Sequence, residues 1–342
     1  MRDGKIGIAV IGCGHWGPNH IRIFRSLPEA EVLWAVDIDK TRRERVQTLF
    51  PGLAIAADPA LALQDPKVDA VVVATPTKTH FELVRESLAA GKHVLCEKPL
   101  CTNKREGLEL LRMAMAKGRL LMVGHVFLFN PGILKVKELV DAGEVGQLQY
   151  LSATRTNLGP IRNDVNAAYD LATHDVSIFN YLLGQKPELV SATGASFLQP
   201  GVEDVVFISL RYPGGIWANI RASWLDPKKV RQMTVVGTKK MVTWDDLELT
   251  SPVAVYDKGA NAVQEYADYG EFLRITMWEG DVLLPKVQMQ EPLKNQNQYF
   301  LECLRSGRVE RSGPEFSLEV VEVLEAIEQS LRNHGSPVRI GQ

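Results

Sequence analysis

The chain has 342 residues, 45% of them hydrophobic and 23% charged, with a formal net charge of −2. This length exceeds the usual size of one domain, so we expect two globular domains. The balanced charge offers no basic field for nucleic acid or an anionic membrane, and no apolar stretch approaches the roughly 18 residues of a membrane span. We therefore expect a cytoplasmic protein with neither partner.

Short apolar runs alternate with helical stretches up to about residue 124. The helices are clearest over Phe81–Ala90 and Lys104–Lys117. Nearly continuous apolar runs are typical of parallel strands buried on both faces. This order predicts an α/β domain over residues 1–124, with a Rossmann doubly wound parallel sheet. The predicted strands are Ile6–Ile11, Val32–Val36, Ala54–Ala56, Ala70–Ala74, Val94–Cys96 and Leu120–Val123.

The pattern changes after residue 125, where a Pro213-Gly214-Gly215 turn joins two β-rich runs in a predicted hairpin. We expect an α+β domain over residues 125–342, with a large, mostly antiparallel open sheet. Whether its C-terminal helices pack back on the first domain stays open. The polar, poorly patterned segment Lys258–Asp268 is interpreted either as an excursion near the site or as a surface loop. The predicted elements are helices Ile133–Asp141, Leu171–Leu183, Gln296–Leu304 and Leu318–Arg332, and strands Val205–Tyr212, Ile216–Trp224, Met233–Val236 and Met241–Trp244.

A glycine-rich loop follows the first strand and opens a helix. Gly12, Gly14 and Gly17 match GxGxxG, with His15 and Trp16 inside the motif. The glycines allow a tight turn and close approach of the backbone to a pyrophosphate. Asp37 stands twenty residues beyond Gly17, where its carboxylate can accept both ribose hydroxyls of NAD and repel the 2′-phosphate of NADP. The motif predicts NAD rather than NADP, although Arg42 and Arg43 lie nearby; the ring of Trp16 is interpreted as packing.

Two further strand ends point to the same crevice, because ligands of open α/β sheets bind beyond the carboxyl ends of the strands. Pro99 forces Lys98 away from helical dihedrals, so the lysine side chain projects from an extended position at the active edge. We assign cofactor binding to Thr75, Pro76, His80, Glu97 and Lys98.

Asp170 and His174 are four residues apart at the start of a predicted helix, which would place both on one face. A carboxylate beside an imidazole fixes its tautomer, as an acid–base site requires. Asp175 would be rotated away from this face. The alternative interpretation is a capping aspartate with a structural histidine.

These motifs resemble, in order and spacing, the glucose–fructose oxidoreductase/inositol dehydrogenase (Gfo/Idh/MocA) family, across nearly the whole chain. The resemblance implies that Lys98 hydrogen-bonds the reacting hydroxyl, that His174 exchanges its proton and that Asp170 orients His174. It also implies hydride transfer between nicotinamide C4 and a substrate carbon, and a homodimer or homotetramer formed through the C-terminal sheet. Asp170-Leu171-Ala172-Thr173-His174 looks more like members that act on nucleotide-linked sugars, oxidised at C3.

Four further side chains are candidates or alternatives around the substrate. His125, Arg155, Asn157 and Arg162 are possible substrate contacts, although an ion pair fits each arginine and a buried structural role fits His125. Trp224 is interpreted as packing. The four cysteines have no disulfide or metal-ligand spacing, so we expect reduced thiols and no metal.

Three other functions remain open. The first is a dehydrogenase of inositol, other polyols or free sugars. The second is a glycoside-cleaving enzyme that uses NAD transiently, and the third is a non-catalytic NADH sensor. A proton-transfer pair is not needed in a sensor.

Overall fold

The computed structural model describes residues 4–159, 161–162, 164–267 and 270–341. It divides into two compact units, and each unit is built from two segments of the chain. The first comprises Met1–Phe129 and Gln290–Glu325, and the second comprises Asn130–Met289 and Ala326–Gln342. The chain thus contributes to the first unit twice.

The first unit contains a six-stranded parallel sheet in the order β3-β2-β1-β4-β5-β6. The two central strands are fully buried along their length, as their apolar runs predict. The strand order reverses between β1 and β4, and this topology confirms the predicted Rossmann sheet. The strands are β1 (Ile6–Ile11), β2 (Ala30–Val36), β3 (Ala54–Ala56), β4 (Ala70–Val73), β5 (His93–Glu97) and β6 (Leu121–Gly124).

Five helices connect these strands. The longest begins after Asn103, whose Oδ1 accepts the Glu106 N–H at 3.0 Å, and ends at Gly118, which has φ 59°. An asparagine N-cap and a left-handed glycine C-cap fix both ends, so this helix coincides with the predicted one. The helices are α1 (Gly17–Ser26), α2 (Lys40–Leu49), α3 (Pro59–Gln64), α4 (His80–Ala89) and α5 (Lys104–Lys117).

The second unit contains a nine-stranded sheet in the order β14-β13-β12-β11-β7-β10-β9-β8-β15. Among the described strands of this second sheet, only the β10–β7 pair is parallel. The predicted α+β class with a mostly antiparallel sheet is therefore confirmed. The strands are β7 (Leu148–Leu158), β8 (Leu189–Ala195), β9 (Val205–Arg211), β10 (Trp217–Ser223), β11 (Leu225–Gly237), β12 (Met241–Asp245), β13 (Val253–Ala267), β14 (Gly270–Leu283) and β15 (Val338–Arg339).

Helices α6 (Pro131–Asp141) and α7 (Thr173–Leu183) belong to the second unit. A single π-helical turn, Ala168–Ala172, leads into α7. Helix α8 (Pro292–Ser306) belongs to the first unit, and so does α9 (Pro314–Arg332) up to Glu325. No helix within the described residues is long and apolar enough to cross a membrane.

The second unit differs from its prediction in three respects. Lys258–Ala267 is part of strand β13, not a loop, and Asp268 lies outside the described residues. Strands β7, β8, β14 and β15 were not predicted. The helix predicted from Leu171 begins at Thr173, because the preceding turn is π-helical. In β13, residues Lys258–Ala267 pair with β14 through the backbone, and this pairing does not require an alternating apolar pattern.

Candidate active site

The glycine-rich loop is shaped by contacts that exclude a side chain at two positions. A Cβ at Gly12, whose φ is +102°, would lie 2.5 Å from the carbonyl oxygen of Ala74. A Cβ at Gly17 would lie 1.8 Å from the carbonyl oxygen of Gly12. Gly14 has open space instead, with Arg42 Nη1 3.8 Å from such a Cβ. The loop therefore leaves the backbone at Gly14 and the start of α1 accessible to a pyrophosphate.

Asp37 directly follows β2, and its carboxylate is hydrogen-bonded to the glycine-rich loop. Oδ2 accepts the Cys13 N–H at 2.7 Å, and Oδ1 accepts the Asp39 N–H at 2.8 Å. A carboxylate has about four acceptor positions, so lone pairs remain for ribose hydroxyls. Burial and the charge of Asp37 raise the pKa of the Cys13 thiol to about 12.

The nearby arginines have protein partners. Arg42 Nη1 lies 3.7 Å from Asp37 Oδ2, and Arg43 donates to the carbonyl oxygens of Asp37 and Ile38. Arg43 thus stabilises the strand end. Trp16 is 36% exposed and contacts the ring of His15, which is also exposed, edge-to-face. The interpretation that the Trp16 ring serves packing stays a prediction.

His80 ties together the two strand ends at the centre of the crevice. Its Nδ1 lies 2.8 Å from the Pro99 carbonyl oxygen, and its Nε2 lies 2.9 Å from that of Thr75. The ring is 1% exposed. Pro76 is exposed and Thr75 half-buried at the same edge. The described contacts of His80 are thus with backbone, and they hold the loop at Thr75 against the segment Glu97–Pro99.

Lys98 follows β5 and is 9% exposed, which is unusual for a lysine. His125, one residue beyond β6, is 1% exposed and contacts the Phe316 ring edge-to-face. Neither ring nitrogen of His125 has a hydrogen-bond partner among the described residues. Burial, with a smaller contribution from the Lys98 charge, lowers the pKa of His125 to about 3. This edge therefore carries a neutral imidazole near a buried ammonium.

In the second unit, Asp170 lies in the π-helical turn and His174 in the first turn of α7. Asp170 Oδ2 accepts the indole N–H of Trp224 at 3.1 Å, and Oδ1 accepts from Arg162 Nη1 at 3.3 Å. Trp224 is fully buried, as its packing role predicted, but it also fixes this carboxylate. The π-helical turn replaces the regular α-helical spacing from which we predicted a shared face.

Arg155 and Asp175 form a buried, bidentate ion pair. Arg155 Nε donates to Asp175 Oδ2 at 2.9 Å and Nη2 to Oδ1 at 2.8 Å. Both residues are under 4% exposed, and this pair fits the ion-pair alternative for Arg155. A contact between Arg155 and substrate stays a prediction. Arg162 pairs with Asp164 as well as Asp170, and Asn157 is half-buried on β7.

The residues of the first unit suit a dinucleotide. The loop at Gly14 is open, the Asp37 carboxylate is preorganised for a ribose, and Lys98 lies at the carboxyl edge of the same sheet. No group of three histidine, cysteine, aspartate or glutamate side chains in the described parts of the chain could hold a metal ion. All four cysteines are buried and free.

Comparison with known families decides the affiliation of the chain. Residues 6–125 match the profile described as "Oxidoreductase family, NAD-binding Rossmann fold", and residues 133–243 match the "GFO/IDH/MocA C-terminal domain". The chain belongs to the Gfo/Idh/MocA family. The predicted resemblance, the Rossmann fold and the NAD-binding first domain are thereby confirmed.

Members of the Gfo/Idh/MocA family with related sequences include polyol dehydrogenases. "Inositol 2-dehydrogenase 2" of Saccharopolyspora erythraea is 34% identical over 63% of this chain and 66% of its own length. "scyllo-inositol 2-dehydrogenase (NAD(+))" of Bacillus subtilis is 26% identical over 98% of this chain and 96% of its own length. The chain spans slightly less than two thirds of the length of the first four curated relatives that it matches (66%, 62%, 66% and 61%).

One solved structure is similar along the entire chain. GenD2 from gentamicin A biosynthesis, solved in complex with NAD, is 25% identical and superimposes with a TM-score of 0.83, covering 100% of this chain and 98% of that one. This similarity confirms the fold along the full length of the described chain.

Sequence reasoning did not single out His20, which the structure places behind the Gfo/Idh/MocA Glu-Lys-Pro segment. His20 is fully buried on α1, and its Nε2 lies 2.9 Å from Glu97 Oε1. The available sequence signal was a histidine three residues after Gly17, on a predicted helix face that is otherwise apolar. Its partner lies 77 residues away in the sequence, so the contact itself could not be deduced.

Proposed function

We propose that the protein is an NAD-dependent dehydrogenase that oxidises a secondary alcohol of a polyol or sugar to a ketone, or reduces the ketone. The observation that carries this proposal is the buried Lys98 at the carboxyl edge of an NAD-binding sheet. A desolvated ammonium at this edge can hydrogen-bond a substrate oxygen and stabilise the charge that develops on it. Bound NAD supplies the hydride acceptor at nicotinamide C4.

The proposed proton exchange uses the second unit. His174 takes the hydroxyl proton during oxidation and returns it during reduction. Asp170 orients His174, and the Trp224 and Arg162 contacts hold that carboxylate in place. Arg155, paired with Asp175, supports the residue next to His174. The roles of His174 and Asp170 follow the family pattern, and the described hydrogen bonds of Asp170 support a fixed position for its carboxylate.

For the substrate, we propose a nucleotide-activated sugar that is oxidised at ring carbon 3. The segment Asp170–His174 supports this choice. Exposed Lys228 and Lys229 add to that support, because the adjacent Val230 pairs with Thr156 near the end of β7. Two lysines there provide charges for a diphosphate. The names of the curated relatives favour a second candidate, an inositol or another polyol.

The test is an NADH absorbance assay over UDP- and dTDP-sugars, free hexoses and inositols, with NAD and NADP in parallel. We expect turnover with NAD and one substrate class, lost in His174→Ala and Lys98→Ala. His93→Ala, which removes an imidazole from the opposite end of β5, is the matched control. Sugar release without accumulation of NADH would indicate transient redox catalysis. NADH binding without any turnover would indicate a sensor, and either result would overturn the proposed reaction.

We also propose that the protein forms a homodimer or homotetramer through the open face of the nine-stranded sheet. Tyr150 and Trp217 are paired in register on β7 and β10, and both are about half exposed. Phe207 lies on the same face of β9 and is 53% exposed. Exposed aromatic side chains on one sheet face are typical of an interface. Light scattering of Trp217→Glu tests the proposal, since a charge on this face should dissociate the oligomer.

A further inference from the structure

A chain of buried polar contacts leads from α8 through α1 to the backbone of Lys98. His20 Nε2 lies 2.9 Å from Glu97 Oε1, and the other oxygen, Oε2, accepts the backbone N–H of Lys98 at 3.3 Å. On the far side, His20 Nδ1 lies 3.2 Å from the side-chain oxygen of Asn297. All these residues belong to the first unit. One carboxylate thus connects the imidazole to Lys98.

The environment makes this contact strong. His20 and Asn297 are fully buried, Glu97 is 8% exposed, and a buried carboxylate must be hydrogen-bonded to remain stable as an anion. The amide nitrogen of Asn297 has no hydrogen-bond partner among the described residues in the orientation shown. A neutral imidazole that donates from Nε2 accepts at Nδ1, so the amide nitrogen suits this contact when the Asn297 amide is turned over.

The neighbouring strand is also fitted to the carboxylate. A Cβ at Gly124, the last residue of β6, would lie 3.3 Å from Cδ and both oxygens of Glu97. Glycine at this position leaves the space in which the carboxylate lies. The Glu97 carboxylate therefore lies between the His20 imidazole of α1 and the backbone of Gly124 in β6.

We propose that His20 is a positioning residue for Lys98, acting through Glu97, and that Asn297 fixes the orientation of the imidazole. This inference rests on the role of Lys98 in the proposed function. Loss of His20 leaves the Glu97 carboxylate without its imidazole contact, and the carboxylate is then no longer fixed in place. The backbone of Lys98 loses a fixed acceptor, and the Lys98 side chain loses its preorganised position.

The first test measures turnover in three variants. His20→Phe keeps an aromatic ring beside Phe24 but removes the donor, and we expect kcat to fall about tenfold to a hundredfold, the effect of losing a charged hydrogen bond. In His20→Gln the amide N–H can still donate to Glu97, so we expect kcat within about threefold of wild type. His93→Gln, at the start of the same strand, is the control and should retain activity.

A double-mutant cycle separates positioning from general loss of structure. If His20 acts through Lys98, His20→Phe should cause little further loss of kcat in a Lys98→Ala background. Fully additive losses would overturn the proposal. Loss in Lys98→Ala but full activity in a folded His20→Phe variant would overturn it while leaving the proposed function intact. Full activity in Lys98→Ala would refute the proposed function instead.

A second readout does not depend on turnover. Selective ¹⁵N-lysine labelling gives an amide resonance for Lys98, which Lys98→Arg identifies by its absence. We expect this resonance to shift in His20→Phe, to return close to its wild-type position in His20→Gln and to stay unchanged in His93→Gln. An unchanged Lys98 resonance in His20→Phe would show that the contact does not reach Lys98, and would overturn the proposal.

Discussion

Burial of His125 without hydrogen-bond partners predicts a specific dependence of stability on pH. The pKa of its imidazole falls from 6.5 to about 3 in the folded protein, first because of burial and second because of the Lys98 charge. Between these values the unfolded chain binds a proton that the folded chain does not, so the free energy of unfolding decreases as the pH falls below 6.5. Above 6.5 both states are neutral and the effect vanishes.

The magnitude follows from the width of this interval. Each pKa unit corresponds to about 1.4 kcal/mol, so at pH 5 the single imidazole destabilises the fold by about 2 kcal/mol relative to neutral pH. His125→Phe and His125→Leu remove the titrating group and no hydrogen bond within the described structure. Both variants should unfold with nearly the wild-type free energy at pH 7.5, and should be more stable than wild type by about 2 kcal/mol at pH 5.

Reversible urea denaturation at intervals between pH 4.5 and 8 measures this difference. The exposed His334, replaced by Asn, is the control for removing one histidine. The reasoning is refuted if the curves of wild type and both His125 variants run parallel over this range. That result would mean that the folded protein protonates His125 as readily as the unfolded chain does.

Three further predictions concern the site. Asp37→Ala should weaken NADH binding about tenfold to a hundredfold by fluorescence titration, because a charged acceptor is lost; unchanged affinity would contradict the ribose assignment. Trp224→Phe removes the donor to Asp170 and should lower kcat about tenfold, whereas Trp34→Phe, which loses a similar bond to Asp65, should leave it unchanged. With a pKa of about 12, Cys13 should resist alkylation by iodoacetamide at pH 8 in the folded protein and react on unfolding, as peptide mass spectrometry can show.

The first unit could be predicted from sequence because its central strands are buried on both faces. Such strands appear as unbroken apolar runs, and Ile6–Ile11 was placed to the residue. The glycine motif and Asp37 could also be predicted, because a local turn and one strand end determine both. Their physical requirements act within a single β-α-β unit.

Strands of the second unit were harder to predict because one face of their sheet is open. Along β7, buried Leu151 and Ala153 alternate with half-buried Ser152 and Thr154, which is a weak signal over a short segment. The partners of Asp170 and His20 were also missed. Trp224 lies 54 residues from Asp170, and no local pattern reports such a contact.

The π-helical turn at Ala168–Ala172 amounts to one extra residue inserted into a helix. Thr173 N–H bonds back five residues, to the carbonyl oxygen of Ala168. Removal of one residue there would give a longer and more regular helix, but it would turn Asp170 by about 100° relative to α7. The residue four positions before His174 would then be a different one. The direction of the Asp170 carboxylate is thus determined by the number of residues in the turn as well as by their types.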